Sequence, residues 1–476
     1  MIIIPANTLS AGGYEVANSC RFNYGSNQFF EKVMGTPTST KIGTFSCWVK
    51  LGNITTEQTM LGAYADSNNR HHIEFQADHN IEIFGKASGS TNMSLITNAY
   101  YRDVSAWYNI VVAYDTSQGT ASNRVKLYVN GTQVTSFATE TYPNQDTVLQ
   151  FNTDGSTHTV GRNKGGNYAD GYMCEVVFID NQQLTPTSFG EFDSDTNIWK
   201  PIDVSSLTGG NIGFYLDFED GSNLGNDVFG GTDFDETNIT SANQTTDTCT
   251  NNFATLNPLG FGGTTPTFSQ GNLNASTGSG ASLYSVPTIG VSSGKWYVEG
   301  KLVTGTVDGG ITYSDYGFAD RSDSAGQSLY TSSARVFWLS AWDSKINYRT
   351  GGSTTAGLQT GKTGLSQGDF FQLYLDMDNE LMYWGRNGSV TNSTGISFNG
   401  KESLTGEYFF AFGDQFTSGT YKYSTNFGQG SIDGTAVSNY NDANGYGSFK
   451  YNPTVTTDEG SKDFLALNTK NLAEYG

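Results

Sequence analysis

The sequence predicts an all-β protein of at least two domains. Three observations predict it. Apolar and polar residues alternate over short runs, and no long segment carries a helical period. Glycine is abundant (58 residues), proline is sparse (9) and aromatics reach 13%, the make-up of short strands, aromatic cores and tight turns. Finally, 476 residues exceed what one hydrophobic core accommodates. A charged fraction of only 15% beside that aromatic content excludes a disordered chain.

Taken in order, residues 44–50 alternate, with Phe45, Cys47 and Val49 on one face and Trp48 on the other. Residues 72–78 alternate as well: Ile73, Phe75 and Ala77 inward, His72, Glu74, Gln76 and Asp78 outward. Asp78-His79-Asn80 reads as a turn, and residues 81–84 return as its partner. Residues 107–114 are apolar enough for a strand buried on both faces. Residues 125–129 run into Asn130-Gly131 and back through 132–134, a strong hairpin signal. Residues 171–179 supply a further strand, and residues 187–192, just after Pro186, are the best short helix. Residues 5–22 read either as an anchor or as a first strand.

Several function classes are excluded or disfavoured. A net charge of −21 with 25 Lys and Arg, and no basic cluster, would repel nucleic acid. No apolar run is long enough to span a bilayer, and Met1 to Pro5 lack the features of an export signal. Cys20, Cys47, Cys174 and Cys249 form no CxxC pair and no metal-like spacing, so they read as buried thiols; a disulfide cannot be deduced. No Ser-His-Asp set, phosphate loop or nucleotide fingerprint is present.

In the first half, Phe45 with Trp48-Val49, Trp107-Tyr108-Asn109-Ile110-Val111, Leu127-Tyr128-Val129-Asn130-Gly131 and Gly171-Tyr172-Met173-Cys174-Glu175-Val176 occur in order. This set resembles the laminin-G-like, concanavalin-like jelly roll. In the second half the carriers are Ser292-Ser293-Gly294-Lys295-Trp296-Tyr297-Val298-Glu299-Gly300, Tyr316-Gly317-Phe318-Ala319-Asp320 and Leu373-Tyr374-Leu375-Asp376. Tyr408-Phe409-Phe410-Ala411 and Asn426-Phe427-Gly428-Gln429 complete them, and together they resemble a SPRY-type β-sandwich. The resemblances imply two β-sandwich domains of jelly-roll type in tandem with a short linker. The expected boundaries are 1–219 for the first domain and 220–266 for an acidic polar linker. The second domain follows over 267–446, and 447–476 form a C-terminal arm or a strand returning to the first domain.

Longer phrases, among them Pro5-Ala6-Asn7-Thr8-Leu9, Asn251-Asn252-Phe253-Ala254-Thr255-Leu256-Asn257-Pro258 and Phe464-Leu465-Ala466-Leu467-Asn468-Thr469-Lys470-Asn471-Leu472, resemble bacteriophage tail-fibre and virion structural proteins. That resemblance implies a homo-oligomer, commonly a trimer in fibres, exposed on the virion. Its partners would be other virion proteins and a glycan or protein of the host surface.

Candidate sites are few. His71 and His72 are strand neighbours and point to opposite faces, and His79 and His158 sit in polar turns, so all four read as surface histidines. Glu74, Gln76 and Asp78 share a strand face, but glycoside hydrolysis needs two carboxyl groups about 5–10 Å apart. Glu74 and Asp78 would stand roughly 13 Å apart along an extended strand, and the residue between them is an amide. Asp217, Glu219, Asp220, Asn223, Asn226 and Asp227 concentrate oxygen ligands of the kind calcium takes, without matching an EF-hand loop. Calcium is thus compatible with the chain but not implied, and no other cofactor is expected. Trp338 and Trp342 fall on one strand face, with Tyr330, Tyr348 and Arg349 nearby, a set suited to stacking on sugars or anchoring a protein ligand. The function expected from all this is non-covalent recognition at a host surface. A purely structural capsid or adaptor role is the alternative, and a glycan depolymerase is disfavoured by the missing carboxylate pair.

Overall fold

The computed structural model describes residues 13–52, 54–263, 266–278, 283–305, 307–308, 311–312, 314–320, 336–340, 343–350, 353–398, 407–414, 420–457 and 460–476. The fold is all-β, and the chain divides into two compact units between Asn252 and Phe253.

The first unit opens with β1 (Ser19–Phe22), β2 (Phe29–Val33), β3 (Ile42–Leu51), β4 (Gln58–Asp66), β5 (Asn69–Phe75) and β6 (Ile81–Ala87). It continues with β7 (Ser90–Thr97), β8 (Trp107–Asp115), β9 (Val125–Val129), β10 (Thr132–Gln133), β11 (Phe137–Thr141) and β12 (Thr157–Val160). Then follow β13 (Gly171–Asp180), β14 (Gly190–Phe192), β15 (Trp199–Pro201), β16 (Phe214–Leu216), β17 (Asp235–Thr237) and β18 (Gln244–Thr245). Among the described residues β14 and β15 pair with each other, while the other sixteen build two eight-stranded sheets, β10-β9-β8-β3-β13-β1-β18 with β16 on β13, and β11-β7-β6-β5-β4-β12-β2-β17. Their inner faces meet in one core, to which the first sheet gives Phe45, Cys47 and Val49 and the second Ile73, Phe75 and Ile83. The alternation read from residues 44–50 therefore holds. Trp48, on the other face, is buried in a second cluster with Trp107, Tyr172 and Trp199. Burying both faces of β3 puts Lys50 fully inside, where its Nζ pairs with Asp247 Oδ2 at 2.8 Å and donates to Asn252 Oδ1 at 2.7 Å. All four cysteines are buried thiols, and Cys174 Sγ lies 3.8 Å from Cys249 Sγ.

The second unit is also a sandwich. Among the described residues, one sheet has seven strands, in the order Leu256–Gly263, Leu283–Pro287, Tyr408–Asp414, Ser314–Asp320, Val336–Ser340, Lys345–Thr350, Ser353–Gln359. The other, nine-stranded among the described residues, centres on Lys295–Gly305, flanked by Tyr421–Asn426 and Phe370–Asp376. Trp296, Val298, Phe318, Leu373, Trp384 and Phe410 fill the space between. Gly300 is required because a Cβ there would collide with the carbonyl of Ser424 and the ring of Phe371.

The structure departs from expectation in four places. The stretch expected as a linker over 220–266 belongs up to Asn252 to the first unit, supplying β17 to one sheet and β18 to the other. Pairing with β1 and β2, not hydrophobic pattern, makes these polar residues strands. Residues 447–476, expected as an arm or a strand returning to the first domain, are part of the second unit. Leu465 and Ala466 pair in parallel with Trp296 and Tyr297, and buried Glu299 accepts from the Lys450 and Tyr451 amides at 2.7 and 3.0 Å. The helix expected over 187–192 is only a 3-10 turn, Pro186–Ser188, because Gly190–Phe192 pairs as β14 with β15. Ala77 is exposed, since β5 ends at Phe75. Of the segment 5–22, residues 5–12 lie outside the described residues and Ser19–Phe22 pairs as a first strand: β1 lies between β13 and β18.

Candidate functional site

On the second sheet of the first unit, period-two alternation sends Ile73 and Phe75 of β5 into the core and His72 and Glu74 to the opposite face. The turn closes with the Gln76 amide donating to the Asn80 carbonyl at 2.8 Å. The resulting register sets Glu82 of β6 directly across from Glu74, and Phe84 across from His72. The loop after β12 approaches this face closely, because Gly62 of β4 has no Cβ to meet the Arg162 carbonyl. That approach delivers Asn163 and Asn167.

Glu74 is the centre, at 2% exposure. Its Oε2 accepts from Thr59 Oγ1 at 3.0 Å, Asn163 Nδ2 at 2.7 Å and Asn167 Nδ2 at 3.3 Å. Its Oε1 accepts from Gln76 Nε2 at 2.9 Å and lies 3.4 Å from His72 Nε2. Gln76 Nε2 also donates to Glu82 Oε2 at 2.6 Å, and Ser94 Oγ donates to Glu82 Oε1 at 3.3 Å. Asn167 reaches on to Glu57 Oε2 at 2.6 Å. The His72 ring stacks on Phe84, with centroids 4.9 Å apart. Glu57, Gln76, Glu82, Phe84 and Asn167 are half-buried and give the cluster its open side.

The two carboxyls differ electrically. Burial works against the Glu74 carboxylate, but hydrogen bonds from His72, Asn167 and Thr59 with the nearby imidazole outweigh it, so its pKa falls below the ordinary value. Burial raises that of Glu82, and the neighbouring Glu74 charge adds to the rise. The arrangement can accept hydrogen bonds from hydroxyls or hold a cation, and it juxtaposes a carboxylate with a more readily protonated carboxyl.

The residues named from sequence fare differently. Glu74 and Gln76 stand together here, whereas Asp78 is exposed in the turn. Glu82 was missed as Glu74's companion, although counting back through the Asp78-His79-Asn80 turn would have found it. Three of the four histidines are not surface groups, while His79 is half-buried in its turn. His71 and His158 are buried in the core and pushed down to about 3 by burial, and His72 is 6% exposed. Trp338 and Tyr348, expected as ligand-binding aromatics, are buried. Trp338 packs with Val336 and Phe409, and Tyr348 lies against Phe337 at 4.5 Å. Strand Val336–Ser340 is buried on both faces, so its aromatics serve packing. Arg349 is half-buried opposite Val336. Trp342 and Tyr330 lie outside the described residues.

The acidic set does not assemble either. Asp220 Oδ1 accepts from the Ser222 amide and hydroxyl, Asp217 Oδ1 accepts from the Glu219 amide, and Glu219 is exposed. Asp227 accepts from the Tyr215 and Phe229 amides and pairs with Lys32 at 3.2 Å. Asp217 and Asp220 are thus held by their own turns and Asp227 by a lysine. Among the described residues, the group arranged to hold a metal is His72, Glu74 and Glu82.

A second buried carboxyl, Glu175, sits at a bulge of β13 with φ of 51°. Tyr215 donates to it at 2.9 Å and Tyr14 at 3.3 Å, and burial pushes it up to about 8.

Residues 31–188, all within the first unit, match the family model of the concanavalin A-like lectin/glucanases superfamily. No curated protein matches the chain. Among solved structures it is similar to the SPRY domain of human HERC1, with 19% identity, TM-score 0.29 and coverage of 36% of this chain and 96% of that one. The mouse laminin alpha1 chain, domains LG4-5, shows 10% identity, TM-score 0.30 and coverage of 86% and 90%. A putative carbohydrate binding protein from Bacteroides ovatus shows 15% identity, TM-score 0.29 and coverage of 43% and 53%.

Proposed function

We propose that this is a non-catalytic recognition protein that binds glycan or protein ligands non-covalently through the outward face of β4–β7. Its setting is a bacteriophage particle, as a tail-fibre or fibre-like component that meets the host surface. The observation carrying the recognition reading is the polar cluster around Glu74. Glu57, Gln76, Glu82 and Asn167 present acceptors and donors beside the half-buried Phe84 ring, the mixture that orients hydroxyl-rich ligands. The superfamily match over 31–188 supports the same reading. The virion setting is supported by the long phrases at residues 5–9, 251–258 and 464–472.

A second reading, glycan hydrolysis, is favoured by one observation. Glu74 and Glu82 are neighbours whose proton affinities are pushed apart, as an acid and a nucleophile require. Against it, Glu74 is closed off at 2% exposure, with three donors on Oε2.

The test uses the full chain on a glycan panel, on host cells, and in excess during phage adsorption. We expect saturable binding, blocked adsorption, and weaker glycan binding in Glu82→Gln and Asn167→Ala. Absence of binding to every surface, with co-purification on the particle, would overturn recognition in favour of a structural or adaptor role. Release of reducing ends that disappears in Glu82→Gln would instead make the protein a hydrolase.

A further inference from the structure

His72, Glu74 and Glu82 each offer a ligand atom, and these atoms lie within 4.8 Å of one another. Cation–ligand bonds of about 2.0–2.2 Å hold any two donors at most about 4.4 Å apart, so the set closes with movements of a few tenths of an ångström. The local charge also lacks an opposite. Among the described residues, neither carboxylate has an ion pair with lysine or arginine; His72 alone stands beside Glu74. Nearby basic side chains are engaged elsewhere: Arg70 lies over Phe84, Arg162 over Phe29 while pairing with Glu31 at 3.8 Å, and Lys164 over Tyr64. Glu57 brings a third carboxylate through Asn167.

Two further features point to a ligand. His72 is 6% exposed and presents its Nε2 to the carboxylates, 3.4 Å from Glu74 Oε1. The Gln76 amide nitrogen bridges Glu74 Oε1 and Glu82 Oε2, where positive charge is favoured, and a half-turn of that amide would present its oxygen as a fourth donor. Thr59, Asn163 and Asn167 close Oε2 of Glu74 and fix the carboxylate, leaving Oε1 for coordination, the outer-shell support that metal ligands receive.

We propose that His72, Glu74 and Glu82, joined by Gln76, bind one divalent transition cation of the zinc or manganese(II) type. An imidazole beside carboxylates suits these ions, whereas calcium and magnesium prefer oxygen-only sets. The proposal deepens the recognition reading and rests on it only where coupling to ligand is concerned: open coordination positions would take ligand hydroxyls.

The experiment is calorimetric titration of the chelator-treated full chain with Zn2+, Mn2+ and Ca2+ separately. We expect one Zn2+ or Mn2+ per chain, with Ca2+ weaker. His72→Ala and the conservative Glu82→Gln should each weaken binding at least about tenfold, while Asp220→Asn, on an exposed turn, changes nothing. If His72→Ala does not fold, Glu82→Gln decides alone. Absence of saturable Zn2+ and Mn2+ binding, binding unchanged in Glu82→Gln, or preference for Ca2+ overturns the site. Glycan binding that persists in chelator without any cation binding would sink this proposal and leave recognition standing. Cation binding without any glycan or cell binding would do the reverse.

Discussion

Lys50 and Asp247 form an ion pair with both side chains fully buried. Burial costs each charge several kcal/mol, which the partner offsets only while both are present. Asp247→Ala removes the carboxylate paired with the buried ammonium, so we expect a loss of about 3–5 kcal/mol in urea unfolding. Glu175 gives a pH dependence of opposite character to the usual carboxylate. Its folded pKa of about 8 stands above its ordinary value of 4.5, so the folded state holds the proton longer. Stability is therefore full below about pH 4.5, falls as pH rises toward 8, and levels off above it, by on the order of a few kcal/mol. Denaturation between pH 4 and 9 should show this decline, and Glu175→Gln should flatten it; an unchanged slope in the variant would assign the effect elsewhere. Neither site was legible in the sequence. Lys50 lies at the end of an alternating run that does not say whether its face is covered, and its partner is distant in the chain.

At the scale of elements, legibility followed local pattern. Residues 44–50 and the hairpin at Asn130-Gly131 were readable because alternation and turn chemistry are local. The structure gives Asn130 and Gly131 φ values of 47° and 77°, the left-handed pair such a turn requires. β17 and β18 were not readable, because short polar strands exist only through their partners. The candidate site stands midway. Glu74 and Gln76 were on the page as one strand face, but Glu82 needed the register across the turn, which alternation within one strand cannot give. Trp338 and Tyr348 misled for a related reason: period two cannot say whether the second face of a strand is covered.

At the scale of the whole molecule, each unit is completed by residues far from its centre in sequence. In the second unit, residues 447–476 supply two of the amides that satisfy Glu299, the parallel strand beside Trp296, and Phe464 packed on Tyr374 at 5.2 Å. We expect removal of these residues to abolish cooperative unfolding of the second unit and leave that of the first, which calorimetry on the full and shortened chains would reveal. Survival of both transitions would mean that the segment is dispensable.

The pairing of β1 with β18, Ser19 against Thr245, carries a consequence for biosynthesis. A ribosome must pass Asn252 before the first unit can close, so the nascent chain leaves the edges of β1 and β2 unpaired until β17 and β18 have been made. Loop closure over that separation makes folding slow relative to its parts. The cell that makes this chain therefore faces a window in which chaperone capacity, more than final stability, decides the yield of folded protein.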